Sequence, residues 1–338
     1  MNHKNLYLYY SSFDPFNENQ FNVFSYLSSL KDSLVYFVIS KDGYVSKEHR
    51  KNLIKIFLDE YEIKEDSYRI VFEEDFSKED LSIYENKYFI GAFIDYKRPI
   101  FKGFIYLKPF KNEEETNKLT LPFERVDLKE ITSYINRLEK LYLLSSKEIT
   151  YLEENKLYFL EKIAKKLTPH RYSHSLSVAH LAAEITLSNG YYYPLVAYKA
   201  GIIHDIAKSL PKEEAYRLMR ELHPEYLDFP SWTYHQFLAI DIARKYFKLD
   251  KTLEAGIKYH STGKARMSLL GKIIYASDKI EPTRDYDSSE MINACLKDFK
   301  SGWKLVVYEV KKFLLEKGFS IDNKLSKDFF EYYLKEKI

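Results

Sequence analysis

Six side chains able to ligate metal ions occur in a fixed order in the C-terminal half of the chain. They are His174, the adjacent pair His204-Asp205, His235, His260 and Asp278. Seven of the nine histidines fall between residues 170 and 260, a clustering that composition alone does not produce. Imidazole and carboxylate groups without a thiolate suit iron, manganese, zinc and other borderline-to-hard divalent ions. Six such groups exceed one tetrahedral site and could hold two ions that share Asp205 as a bridge. Each residue alone has an ordinary reading. His174 fits a core histidine with one good hydrogen bond. His204-Asp205 fits a local pair near the surface, and Asp278 a half-exposed helix-end carboxylate ahead of Pro282. The ordered set is what points to a metal.

The flanking patterns say which elements must present these groups. Val178, Leu181 and Ile185 follow His174 on one helical face, so His174 heads an apolar stripe. His204-Asp205 closes the run Val196-Ala197-Tyr198-Lys199-Ala200-Gly201-Ile202-Ile203, apolar on most sides and therefore expected at the centre of its domain. Leu270, Ile274 and Asp278 are spaced four apart, which puts the carboxylate on an apolar stripe. Unpaired there, it would cost on the order of several kcal/mol, and a cation removes that cost. His235 opens an apolar-faced helix through Leu238 and Ile242, and His260 closes one before Ser261-Thr262-Gly263.

The series resembles the HD-domain metallophosphohydrolases. Residues 157–338 are similar to the YqeK family of symmetrical diadenosine tetraphosphate hydrolases. The resemblance is carried by His170-Arg171-Tyr172-Ser173-His174, Ile203-His204-Asp205-Ile206-Ala207-Lys208 and Tyr234-His235, and by Tyr259-His260-Ser261-Thr262-Gly263 and Ala276-Ser277-Asp278-Lys279-Ile280-Glu281-Pro282. Lys279 stands where the family more often has an aromatic residue, and Lys264 where it often has Arg; neither change removes a ligand. The resemblance implies an all-α helical bundle, a di-iron site on the six residues named above, and hydrolysis of diadenosine tetraphosphate into two ADP. Asp205, His204 and Lys208 would then carry the catalysis. Arg171, Lys208, Thr262, Gly263, Lys264, Arg266 and Arg284 would contact the substrate. The chemistry agrees in kind, because metal ions lower the pKa of water and offset charge on phosphoryl oxygens. The resemblance also implies a possible homodimer. Two alternatives remain open: a broader HD phosphatase or phosphodiesterase on nucleotides, and a nucleotide-sensing regulator.

The N-terminal half has a different texture. Leu6–Tyr10, Leu34–Ser40, Tyr68–Phe72, Tyr88–Ile94 and Phe104–Lys108 are short runs rich in aromatic and β-branched residues, of strand length. Helical patterns at Gln20–Leu30 and Ser46–Tyr61 alternate with them, which predicts an α/β domain with a largely parallel sheet. Ser12-Phe13-Asp14-Pro15 after the first strand resembles the signature of NadD-type nicotinate-nucleotide adenylyltransferases, Gly-Gly-Ser-Phe-Asp-Pro followed by His-x-Gly-His. Here Tyr10 and Ser11 replace the glycines, and Asn17 and Gln20 replace the histidines. Phe93 stands where the family carries Asp. Val126-Asp127-Leu128-Lys129-Glu130-Ile131-Thr132 lacks the serines and arginine of the family's phosphate-binding motif. Glycines let backbone amides approach phosphates, and histidines bring positive charge to them. The expectation is a Rossmann-like nucleotidyltransferase fold without its catalysis, fused to the HD domain in the arrangement of small-genome, mycoplasma-type bacteria.

Bulk properties bound this reading. The chain has 338 residues and a formal net charge of +2, so no whole-molecule field favours nucleic acid or membrane. A single cysteine, Cys295, excludes an internal disulfide framework and a thiolate zinc site. Leu6–Tyr10 is short for a secretion signal, and no run approaches the ~18–20 apolar residues of a membrane span. The expectation is a cytoplasmic protein acting on a small nucleotide, with residues 111–120 a polar surface loop and the domains divided at 156/157.

Overall fold

A computed structural model of the chain describes residues 4–91, 105–107, 128–319 and 321–335. It divides into two compact units, one ending at Tyr158 and the other beginning at Phe159.

The first unit is built on β1 (Asn5–Ser11), α1 (Glu18–Ser29), β2 (Ser33–Ile39), α2 (Lys47–Glu60), β3 (Tyr68–Phe72), β4 (Asn86–Gly91) and β5 (Ile105–Leu107), followed by α3 (Leu128–Asn136) and α4 (Ser146–Asn155). Among the described residues the strands form one sheet in the order β3-β2-β1-β4-β5. Every neighbouring pair is parallel. All residues of β2 are buried, as expected of a strand covered on both faces. Phe37 of β2 lies 5.5, 5.6 and 5.1 Å from the ring centroids of Phe13, Phe16 and Phe24. The strand order reverses across β1 and β4, the crevice where Rossmann-like sheets bind their ligands. The Ser12–Pro15 loop follows the end of β1. The expected strands are present. Residues 92–94, 104 and 108, Phe93, Val126-Asp127 and the expected loop at 111–120 lie outside the described residues. α4 opens with a reciprocal capping box between Ser145 and Glu148, and it stops at Lys156, which adopts a left-handed conformation.

The second unit is all-helical among the described residues. It comprises α5 (Phe159–Ala164), α6 (Pro169–Ser188), α7 (Pro194–Ile203), α8 (Lys212–Leu222), α9 (Tyr234–Arg244), α10 (Lys251–Ile257), α11 (Leu269–Ile280), α12 (Ser289–Lys297), α13 (Phe299–Glu316) and α14 (Lys324–Lys335). Thr168 caps α6 and Pro169 occupies its first turn, the favoured arrangement for a helix start. Ser268 caps α11 through Gly271 N. The helix expected around Leu157 begins at Phe159, because Tyr158 adopts a positive φ of 55° just ahead of it. α7 is the central helix, with Ala197, Ala200, Ile202 and Ile203 wholly buried. It packs against α6, α10 and α11, and α6 and α11 also pack on each other. The α6–α7 approach depends on Gly201: a Cβ there would lie 2.5 Å from Ala179 Cα. No described helix is long and apolar enough to cross a membrane.

Candidate metal centre

The packing of α6, α7 and α11 brings the imidazole and carboxylate groups of the sequence to one place. His174 lies in the second turn of α6, and His204-Asp205 follows the last turn of α7. Asp278 lies in the last turn of α11. His235 sits in the first turn of α9, and His260 follows α10. All six are buried.

The donor atoms converge. His174 Nε2 lies 3.1 Å from Asp278 Oδ1 and 3.9 Å from Asp205 Oδ2. His204 Nε2 lies 3.7 Å from Asp278 Oδ1 and 3.8 Å from Asp205 Oδ1. Asp205 Oδ1 is also 3.2 Å from His235 Nε2 and 3.4 Å from His260 Nε2. The two oxygens of Asp205 thus face different histidines, the geometry of a bridging carboxylate. His174, His204 and Asp278 form one group with donor atoms within 4.8 Å of one another, and His204, Asp205 and His260 form a second.

The ring tautomers are fixed. His204 Nδ1 lies 2.6 Å from Gly201 O, His235 Nδ1 2.9 Å from Trp232 O and His260 Nδ1 2.8 Å from Ile257 O. A carbonyl only accepts, so each Nδ1 carries the proton and each Nε2 offers a lone pair to the cluster. His174 Nδ1 instead donates to Glu281 Oε1 at 2.9 Å. His204 Nε2 is buried with no hydrogen-bond partner among the described residues. A buried acceptor without a partner costs about 1–3 kcal/mol, and a cation would remove that cost. The donor set and this orphaned nitrogen fit a divalent metal ion.

Electrostatics follow the same geometry. Burial opposes ionisation of Asp205, but His204, His235 and His260 outweigh it and hold the carboxyl well below the usual range. Burial likewise opposes ionisation of Asp278, yet Lys279, His174, His204 and Arg284 keep it ionised. Burial pushes His260 down to about 3, so it is neutral, the form that ligates. Burial also lowers His235. Burial would lower His174 too, but hydrogen bonds to Asp278 and Glu281 raise it.

The expected substrate contacts divide into groups. Lys208 Nζ lies 3.2 Å from His235 Nε2, and burial depresses its pKa. Arg171 Nη1 is 3.4 Å from Asp205 Oδ2, and Arg284 Nη2 is 2.8 Å from Asp278 Oδ1. These three stand at the cluster. Thr262 is buried, and its backbone N and hydroxyl both donate to Gln236 Oε1. Gly263 has a φ of +67°, and a Cβ there would strike the Phe329 ring; its absence of a side chain serves packing. Lys264 and Arg266 line a cleft of about 560 Å³ whose walls include none of the six clustered residues. Glu281 and Gln236 were not singled out from sequence. Glu281 stood inside the quoted Ile280-Glu281-Pro282 segment, which was its one available signal; Gln236 had none beyond adjacency to His235.

Comparison with known proteins gives the family of this chain. The HD domain family matches residues 171–283. A symmetrical bis(5'-nucleosyl)-tetraphosphatase of Staphylococcus aureus is 32% identical over 184 residues, 51% of this chain and 92% of that protein. Its Bacillus subtilis counterpart is 35% identical over 127 residues, 37% of this chain and 68% of that protein. A Mycoplasma pneumoniae protein named "Probable nicotinate-nucleotide adenylyltransferase/Ap4A hydrolase" is 26% identical over 181 residues, 51% of this chain and 52% of that protein. The chain thus spans about half the length of that relative. With its histidines and aspartates gathered on α6, α7, α9 and α11 and after α10, the chain belongs to the HD-domain family of the symmetrical bis(5'-nucleosyl)-tetraphosphatases.

Proposed function

We propose that the second unit hydrolyses dinucleoside tetraphosphates, diadenosine tetraphosphate foremost, into two nucleoside diphosphates. The observation that carries this is the convergence of imidazole Nε2 and carboxylate oxygen atoms around Asp205 and Asp278 in a chain of this family. In this reading His174, His204, Asp205 and Asp278 hold one ion. His235 and His260 hold a second with Asp205, and iron is the favoured metal. Bound ions would activate water and offset charge on the phosphoryl oxygens. In this reading Arg171, Arg284 and Lys208 hold the polyphosphate against the cluster, and Lys208, whose pKa burial depresses, would pass a proton to the departing diphosphate. The substrate is a small nucleotide rather than a nucleic acid. The dimer implied by the resemblance is checked by sedimentation.

The first unit keeps a nucleotidyltransferase-like fold without its chemistry. Asn17 Nδ2 donates to Pro15 O and to Gln20 Oε1, so the residues in place of the family histidines are buried and spent on each other. Asp14 accepts hydrogen bonds from the Tyr158 hydroxyl and from Tyr44 N. The Arg50 guanidinium is committed to the carbonyls of Ser12, Ser40 and Asp42. The crevice at the end of β1 is therefore knit together by its own side chains.

Purified full-length protein loaded with iron or manganese should convert diadenosine tetraphosphate to ADP alone. ATP plus AMP as products would contradict the symmetrical assignment. Asp205→Ala should abolish both turnover and metal uptake, measured by elemental analysis.

A further inference from the structure

A groove of about 740 Å³, within the roughly 300–1,000 Å³ of small-molecule sites, lies beside the cluster, although none of the six clustered residues lines it. Three of its wall residues touch the cluster. Ser261 Oγ lies 3.0 Å from His235 Nε2, and Arg284 Nη2 lies 2.8 Å from Asp278 Oδ1. Lys279, a third wall residue, has its Nζ 2.8 Å from Asp278 Oδ2. The remaining walls mix five aromatic side chains with four carboxylates and two lysines, and three of the aromatic residues are open to solvent. Trp232 is 50% exposed and Tyr286 42% exposed. Open aromatic faces beside cations that reach a phosphate-binding centre match what a nucleotide presents: a flat base at one end and anionic oxygens at the other.

Resting on the dinucleotide reading above, we propose that Trp232 and Tyr286 are the base-binding wall on which the base of one substrate half stacks. Arg284 and Lys279 hold the phosphates nearest to it. Trp232 is placed for two separate tasks. Its carbonyl accepts the proton of His235 Nδ1, while the residue also lines the groove and is half exposed. Replacing the side chain leaves the carbonyl in place. Tyr286 is braced rather than free: its hydroxyl donates to Lys279 O, and its ring lies 6.1 Å from that of Phe313 at 31°. A braced ring loses little freedom when a base stacks on it. Stacking accepts any base, so diguanosine tetraphosphate should be hydrolysed nearly as well as the adenosine compound.

The test exploits the two tryptophans of the chain. Trp303 is buried and Trp232 is half exposed, so Trp303→Phe leaves an emission that reports on the groove. Adding ADP to this metal-loaded full-length variant should quench the emission saturably. In steady state, Trp232→Ala should raise KM for diadenosine tetraphosphate about tenfold, with kcat and metal content little changed. Trp232→Phe, which keeps a stacking face, should restore most of the loss. An unchanged KM in Trp232→Ala, or no quench by ADP, would overturn the assignment. So would kcat and metal content falling together, because Trp232 would then act only by supporting His235. A wild-type protein that splits no dinucleotide sinks the functional reading instead, and the ADP titration still decides whether the groove binds a base.

Discussion

Replacing Glu281 by Gln should weaken metal binding while every proposed ligand stays in place. Glu281 Oε1 accepts from His174 Nδ1 at 2.9 Å. The same carboxylate accepts from Thr283 N at 2.7 Å and from the Thr283 hydroxyl. Burial opposes its ionisation, but the bonds from His174, Ser177 and Thr283 bring it down to about 2, so it is an anion facing donors on all sides. Gln has one acceptor oxygen and one amide nitrogen. If the oxygen faces His174, the NH2 group meets the Thr283 N–H; if it faces Thr283, the NH2 group meets the His174 Nδ1 proton. Either way one buried contact becomes donor against donor, and the negative charge that raises the basicity of His174 is gone. Partners of ligating histidines typically contribute ten- to a hundredfold in metal affinity, or about 1.4–2.7 kcal/mol. Competition of Glu281→Gln and wild type against a metal-binding dye should show that loss, with folding checked by circular dichroism. Equal affinities in the two proteins would refute the role given to Glu281.

Two further substitutions probe the scaffold. Gly201→Ala gains about 1 kcal/mol of helix propensity but forces a Cβ to within 2.5 Å of Ala179 Cα, and the resulting overpacking costs about 1–3 kcal/mol. The expected result is a lower urea midpoint together with weaker metal binding; a midpoint that rises would mean α6 and α7 are not held at this spacing. In the first unit, burial pushes the Glu148 carboxyl well above its ordinary 4.5, opposed by its bonds with Ser145 and aided by Glu60. A carboxyl with a raised folded pKa contributes stability that is present below 4.5 and is lost as pH rises through the folded value. Glu148→Gln keeps the capping box and removes that titration. The variant should therefore be more stable than wild type near about pH 7.5, with the difference shrinking toward about pH 5 in urea unfolding. A difference independent of pH would mean that Glu148 is not the titrating group.

Residue type and helical period mark the residues that the fold gathers into the candidate metal site. Asp278 on the stripe of Leu270 and Ile274, and His204-Asp205 at the end of an apolar run, announce buried charges that need a cation. The continuous apolar runs of β1 and β2 announce a covered parallel sheet in the same way. Other features depend on how the chain turns after each element. The family resemblance implies Lys264 and Arg266 as substrate contacts. Left-handed residues at Gly263 and Arg266 turn that stretch, and both basic residues line a different cleft. Gly201 read only as one more small residue in a helix, because its role depends on which helix lies opposite.

The histidines differ in one respect that explains why Glu281 has no substitute. His204, His235 and His260 each give the Nδ1 proton to the carbonyl three residues earlier: Gly201, Trp232 and Ile257. Each of these histidines stands at an element boundary, where its ring reaches a carbonyl of its own turn; Ile257 O accepts from His260 N as well. Three of the four rings are therefore oriented by the local chain, independently of how distant helices dock. His174 lies within α6, where the preceding carbonyls accept helical N–H groups. It must take its partner from elsewhere, and Glu281, at the C-cap of α11, supplies it. The same helix carries Asp278, 3.1 Å from the other nitrogen of His174. α11 thus delivers both the carboxylate proposed as a ligand and the group that aims the imidazole beside it, so docking of this one helix completes the half of the candidate site that local geometry cannot build.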